Sequence, residues 1–407
     1  IQQSDWSSDV CSSDLENDDS KFFKELHEQH DRYNYDYMLP LFARNGGNFI
    51  RVWMCSFNFP IDQHDNFNNL RYKPSDAYFN PSAVERLDHF VELAEQLGIH
   101  VMLCMGQGAV PADRAFFTGE EQAQRYMNRL RYIVARWGYS PAIGMWEFFN
   151  EIDNIQHRNP GGVIPAEEIV AWHARMGQYL KSIDPFKHPV TTSISHRDLE
   201  GLNSVPWLDI NQKHIYRNTA VIPSTIHSYE ERFGKPYIIG EFSYEWDWSL
   251  NFDDFAEDMD RDFRRGLWYG LFSPTPVTPM SWWWEYFENR GMMTYFRGVR
   301  AVSDRMLAAG NGAFEEVKAE CAPLEAMSVK CGRTLFVYLY NNSAKAVKGA
   351  DLKVASAIDG TYTVECLDPQ KFEWAEPVTG RSGEVRIDAL EVEPYGERIY
   401  QFTPEKQ

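Results

Sequence analysis

The chain repeats one pattern: a short apolar run, then an amphipathic stretch with helical spacing. "NFIRVWMCSF" (48–57) precedes "PSAVERLDHFVELAEQLG" (81–98), in which proline opens and glycine closes the helical spacing. "IHVMLCMGQ" (99–107) precedes "EEQAQRYMNRLRYIVARWG" (120–138), and "AIGMWEFFNE" (142–151) precedes "AEEIVAWHARMGQYLKSID" (166–184). "PVTTSIS" (189–195), "LDINQKHIY" (208–216) and "PYIIGEFS" (236–243) continue the series, with "PSTIHSYEERFG" (223–234) as a helix before the last of them. "VTPMSWWWE" (277–285) reads as a further strand and "TYFRGVRAVSDRML" (294–307) as a final helix. Strands alternating with helices imply parallel pairing, and runs apolar on both faces fit a sheet covered by helices.

This is seven strands, one fewer than a (β/α)8 TIM barrel needs. The segment "ENDDSKFFKELHEQHD" (16–31) contains no strand, so the expected architecture is an α/β barrel lacking its first strand. An open dinucleotide-binding sheet would carry a Gly-rich phosphate loop, and neither GxGxxG nor GxxxxGK[ST] is present. After about Gly310 the texture changes to period-two alternation with turn signals, as in "GRTLFVYLYNN" (332–342) and "GEVRIDALEV" (383–392). The expected division is a catalytic domain over 16–310 and a small all-β sandwich over 311–407.

Residues 1–15 are set aside. "VCSSDL" (10–15) resembles the translation of a common short-read sequencing adapter, so this stretch is expected to be an unstructured artefact. Any export signal of the full-length protein would lie upstream of it, and an extracellular or periplasmic location is the expectation.

A net charge of −19 excludes a basic stripe for nucleic acid. No run of 18 apolar residues is present, so no membrane span is expected. Thirteen Trp and 21 Tyr serve large cores or stack on sugar rings. Cys55 and Cys104 lie in apolar strands and are expected to be buried thiols, while a bridge among Cys321, Cys331 and Cys366 stays open. "HEQH" (27–30) is not a zinc motif, and "DQHDNFNN" (62–69) lacks the calcium-loop pattern. No metal or cofactor is implied, and a monomer is expected.

In such a barrel, catalytic groups come from the C-terminal ends of strands. Strand ends here supply Asn150-Glu151, Glu241, His214 and Tyr216, Arg51, and the tryptophans 282–284. Two glutamates at separate strand ends suit glycoside cleavage, one as proton donor and the other as nucleophile. Glu147 lies on the strand face of Glu151 and reads as a buried supporting acid.

"WExxNE" (146–151) with "KPxxxGEF" (235–242), in order along successive strands, resembles clan A glycoside hydrolases, above all the cellulase and mannanase group of family 5. The resemblance runs over most of 33–307. It implies a retaining glycosidase acting on β-linked glycans, with an oligo- or polysaccharide as substrate. Glu151 would be the acid/base and Glu241 the nucleophile. Asn150 would bond the sugar 2-hydroxyl and the nucleophile, Arg51 would keep Glu241 ionised, and Tyr216 would donate to it. His214 would line the catalytic subsite, and Trp282 would form its floor. Retention further implies carboxyl groups about 5 Å apart. A catalytically silent carbohydrate-binding barrel is the alternative. Arg51 could also serve as a structural partner of Glu147, Trp246 and Trp248 could be sugar platforms or packing aromatics, and the C-terminal domain could be a buttress or a glycan-binding module.

Overall fold

The computed structural model describes residues 34–55, 58–62, 79–106, 112–247, 249–273, 275–358, 360–368, 372–380 and 383–405. The adapter-like stretch, "HEQH", most of the 62–69 loop, Trp248 and the place of the expected missing strand lie outside them. The chain divides into two compact units, 1–260 with 279–293, and 261–278 with 294–407. Packing therefore assigns the helix Tyr295–Gly310 and part of the helix Ala256–Phe272 to the second unit, and the sequence boundary near 310 is not where the contacts divide.

The first unit holds strands β1 (Phe49–Trp53), β2 (His100–Cys104), β3 (Ile143–Glu147), β4 (Val190–Thr191), β5 (Ser193–Ile194), β6 (Asn211–Tyr216) and β7 (Tyr237–Ser243). Every pairing is parallel and follows chain order, from β1 to β4 and from β5 to β7. The strand expected at 189–195 is broken at Thr192 into β4 and β5. The one expected at 277–285 shrinks to a parallel bridge between Ser281 and Phe242. The reason is Trp283, whose φ of 48° turns the chain into the helix Trp284–Asn289. The edges of this strand series approach one another: the Trp53 and Trp282 rings stack with centroids 4.8 Å apart.

The helices form where the sequence signals placed them. Asn80 caps Pro81–Leu97 by accepting from the N–H groups of Ser82 and Ala83, and Gly98 ends it at φ 67°, a left-handed conformation that favours glycine. Leu87, Phe90 and Ala94 of that helix are fully buried against Val101 and Leu103 of β2 and their neighbours. Each such large side chain contributes about 1.5–3 kcal/mol of burial. That packing presses the helices onto the strands and leaves the strand C-termini free to carry polar groups. Among the described residues no helix is long and apolar enough to cross a membrane.

The second unit contains β8 (Phe314–Val317), β9 (Ala319–Glu320), β10 (Glu325–Cys331), β11 (Thr334–Tyr340), β12 (Val347–Ile358), β13 (Tyr362–Asp368), β14 (Glu373–Trp374), β15 (Val378–Gly380), β16 (Gly383–Val392) and β17 (Glu397–Pro404). They form two antiparallel sheets, one centred on β13-β17-β11-β10 and a smaller one ordered β16-β12-β9. Leu335, Val337 and Leu339 from one sheet and Leu352, Val354 and Val385 from the other share one buried core. Alternation along β12 produces this, since its inward residues Ala350, Leu352 and Val354 are buried between exposed neighbours. All five described cysteines are free thiols, which leaves no bridge among the last three.

Candidate active site

Side chains from β1, β3 and the residues after it, β6 and β7 converge at the C-terminal edge of the parallel strands. Arg51 of β1 is the hub. Its Nε and Nη2 donate to the two oxygens of Glu147 at 2.6 and 2.7 Å, and its Nη1 donates to Glu241 Oε1 at 2.5 Å. Both expected partners of Arg51 are thus engaged together. Glu147 is fully buried and takes a further bond from Gln212 Nε2 at 2.7 Å. A buried carboxylate with a bidentate guanidinium and an amide donor has its lone pairs satisfied, which is how an interior charge is tolerated. Burial alone would lower the Arg51 pKa, but Glu147 and Glu241 more than reverse this and keep it well above the ordinary value.

Glu147 ends the β3 ladder, and the chain runs on for four residues to Glu151. Asn150 Oδ1 accepts from Arg51 Nη2 at 2.8 Å, which leaves its amide N–H groups to donate elsewhere. Glu151 adopts φ 50°, left-handed for a non-glycine residue, and its N–H donates to Ser193 Oγ at 2.9 Å. The simple alternation expected between Glu147 and Glu151 ends at this turn. It lifts the Glu151 side chain to 20 % exposure, while that of Glu241 keeps 6 %. Asn154, three residues on in the helix Ile152–Arg158, donates to Glu151 Oε2 at 2.7 Å.

Gln212, His214 and Tyr216 lie two apart on β6 and meet Glu147, Glu151 and Glu241 respectively. Tyr216 donates to Glu241 Oε2 at 2.6 Å. Burial and the neighbouring Glu241 charge hold its phenol well above 10, so it stays a donor. His214 Nδ1 is 2.9 Å from Glu151 and 3.3 Å from Glu241. Its Nε2 is buried without a hydrogen-bond partner among the described residues. One oxygen from each carboxylate and one His214 nitrogen lie within 4.8 Å of one another. That spacing could accommodate a cation, but both Glu241 oxygens already accept from Arg51 and Tyr216, so a metal would compete with a fixed positive charge.

The two glutamates differ in acidity. Burial, the largest influence, raises Glu241 above the usual carboxylate range against the pull of His214 and Arg51. Burial also works on Glu151, but the hydrogen bond and charge of His214 outweigh it and bring Glu151 below that range.

Gly240 precedes Glu241 for a steric reason: a Cβ there would lie 2.6 Å from the Gln212 side chain on its way to Glu147. Of the tryptophans, Trp282 is half-buried, donates its backbone N–H to Phe242 O at 3.0 Å and stacks on Trp53. Trp283 is 6 % exposed and donates through Nε1 to Glu245 O. Sequence reading missed Gln212, Ser193, Asn154 and Trp53. Gln212 was accessible, since it shares the period-two face of His214 and Tyr216; Ser193 and Asn154 act through a turn that no periodicity encodes.

Residues 25–275 match the family described as "Apiosidase-like, catalytic domain". A mannan endo-1,4-beta-mannosidase A from Podospora anserina is 24% identical over 253 residues, covering 52% of this chain and 65% of the relative, so the chain spans less than two thirds of that protein. A glycoside hydrolase family 5 structure from Bacteroides vulgatus superposes with TM-score 0.64 at 13% identity, covering 92% of this chain and 86% of that one. A GH30 endoxylanase from Clostridium papyrosolvens gives TM-score 0.55 at 12% identity over 90% and 92% of the two chains. At such identities these structures report the fold alone.

Proposed function

The chain belongs to the apiosidase-like family of catalytic domains, among the clan A glycoside hydrolases that resemble family 5, and from that premise we propose that it cleaves β-linked glycans with retention of configuration. The observation that carries this reading is the pair of carboxylate oxygens, from Glu151 and Glu241, within 4.8 Å of one another beside His214. Retaining enzymes hold their two carboxyl groups about 5–5.5 Å apart, whereas inverting ones leave room for a water at about 6.5–9.5 Å.

In this mechanism Glu151 protonates the departing oxygen and Glu241 attacks the anomeric carbon. Water then releases the sugar as Glu151 takes a proton back. The more exposed position of Glu151 suits proton exchange with leaving group and water. Arg51 and Tyr216 hold Glu241 in place and stabilise its anion. The mechanism requires Glu151 to carry the proton and Glu241 to be ionised when the substrate is bound. His214 Nδ1 lies between the two carboxylates, 2.9 Å from Glu151 and 3.3 Å from Glu241, and orients both. Asn150 offers its amide to the sugar and Trp282, with Trp53, an aromatic floor. Residues 16–310 are assigned as the catalytic domain and 311–407 as a β domain; a polysaccharide substrate implies work outside the cytoplasm.

The family name suggests apiosides and the Podospora relative suggests β-1,4-mannan. A panel of aryl β-apioside, mannan and xylan tests the substrate. On whichever is cleaved, proton NMR of the first-formed anomer should show retention, and Glu241→Gln should lose turnover by about a thousandfold or more. An inverted first product, or wild-type turnover by Glu241→Gln, overturns the mechanism. Binding without cleavage by wild type would instead favour a silent carbohydrate-binding barrel.

A further inference from the structure

The loop after β7 is built around a buried acid that the reaction does not use. Glu245 is 8 % exposed and accepts from the N–H groups of Trp246 and Asp247 at 2.8 and 3.1 Å. Arg217 Nε donates to both of its oxygens at 2.9 and 3.1 Å, and Trp283 Nε1 holds its carbonyl. Arg217 directly follows Tyr216 and adopts φ 68°, a conformation that a non-glycine residue seldom takes. Such outliers concentrate at binding sites, where the surroundings hold them. The result is an aromatic held in the open: Trp246 is 54 % exposed, with the Arg217 guanidinium 5.3 Å from its ring centroid.

A tryptophan half in water is an unusual product for so many fixed bonds. Arg217 lies over the Trp246 ring and Glu245 ties the loop through backbone N–H groups, while more than half of Trp246 stays exposed. Arg217 bonds Glu245 through Nε and its side chain is 56 % exposed, so its terminal N–H groups can donate to a ligand oxygen. The position is fixed at the mouth of the site. Arg217 adjoins the tyrosine that contacts Glu241, and Glu245 lies four residues beyond Glu241. A flat aromatic surface with an adjacent bidentate donor is the combination that takes a pyranose ring: apolar C–H face on the indole, ring oxygens on the guanidinium.

We infer that Trp246 and Arg217 form a second sugar subsite, which holds a pyranose unit of the glycan next to the one cleaved between Glu151 and Glu241. This rests on the glycosidase reading above, and its test separates the two. Titration calorimetry is run on the full chain carrying Glu241→Gln, with β-linked manno-, gluco- and xylo-oligosaccharides of one to four units. The inference expects that lengthening the ligand by one unit tightens binding at least tenfold, and that Trp246→Ala removes that gain. Arg217→Lys, which keeps the charge but loses the planar fork, should weaken the same step several-fold. A length gain that survives Trp246→Ala overturns the subsite while leaving the glycosidase reading intact. No binding by any oligosaccharide overturns both. Far-UV circular dichroism and melting of Trp246→Phe, which keeps a ring, provide the folding control; restored length dependence in that variant supports the stacking role.

Discussion

Arg51 and Glu241, on strands that lie far apart in the chain, meet in a 2.5 Å ion pair in which the side chains keep only 4 and 6 % exposure. The same guanidinium binds Glu147 through two other donor positions, so the nucleophile candidate is tied to the barrel interior by one residue. Position and charge of Glu241 are thereby set together.

Removing that hub should cost both stability and rate. Arg51→Ala leaves Glu147 charged and fully buried without its bidentate partner, so a loss of about 3–5 kcal/mol is expected by denaturant unfolding. Arg51→Lys keeps a cation but cannot serve Glu147 and Glu241 together. We expect it to retain most of the stability while kcat falls by about a hundredfold. Near-normal kcat in a folded Arg51→Lys protein would show that the bridge is dispensable.

His214 lowers Glu151 against the opposing effect of burial. Its replacement by asparagine should therefore raise the Glu151 pKa and keep the acid form to higher pH. The alkaline limb of the kcat/KM profile moves upward, although the maximal rate drops. A limb that stays put or moves to lower pH would disconnect His214 from the acid.

His173 is fully buried, bonded to Ile169 O and Thr192 Oγ1, and burial lowers its pKa to about 4. Between about 6.5 and 4 the unfolded chain binds a proton that the folded one refuses, so stability falls as pH drops through that window and is untouched above it. The full loss is about 3 kcal/mol at about 1.36 kcal/mol per pH unit. Urea midpoints of wild type and His173→Gln between pH 7.5 and 4.5 should converge as pH falls; parallel curves would refute the assignment.

Trp282 and Trp283 should separate by phenotype. Trp283→Ala empties a buried site and frees the Glu245 carbonyl, so melting falls by several degrees, from about 3–5 kcal/mol. Trp282→Ala should raise KM on an oligosaccharide with a smaller change in melting. Equal melting losses in the two variants would place both in the core.

The sequence by itself determined the parallel strand series, the helix opened by Pro81 and closed by Gly98, the β texture after Gly310, and the residues at strand ends. Those features are written in local periodicity, in the special backbone freedom of glycine and proline, and in carboxylates set at the ends of apolar runs. Tertiary structure decided what each strand end touches. Period two could align Gln212, His214 and Tyr216 on one face, but only the pairing of β6 with β7, which sets His214 opposite Glu241, brings Tyr216 within reach of that carboxylate. Alternation placed Trp282 and Trp284 together, yet a left-handed turn at Trp283 ended the strand and sent them apart. The opposite shifts of Glu241 and Glu151 depend on burial and on the charged neighbours that tertiary packing brings to each, His214 and Arg51 among them. Burial, distance and turn geometry arise from the packing of segments remote in the chain, and no window of the sequence contains them.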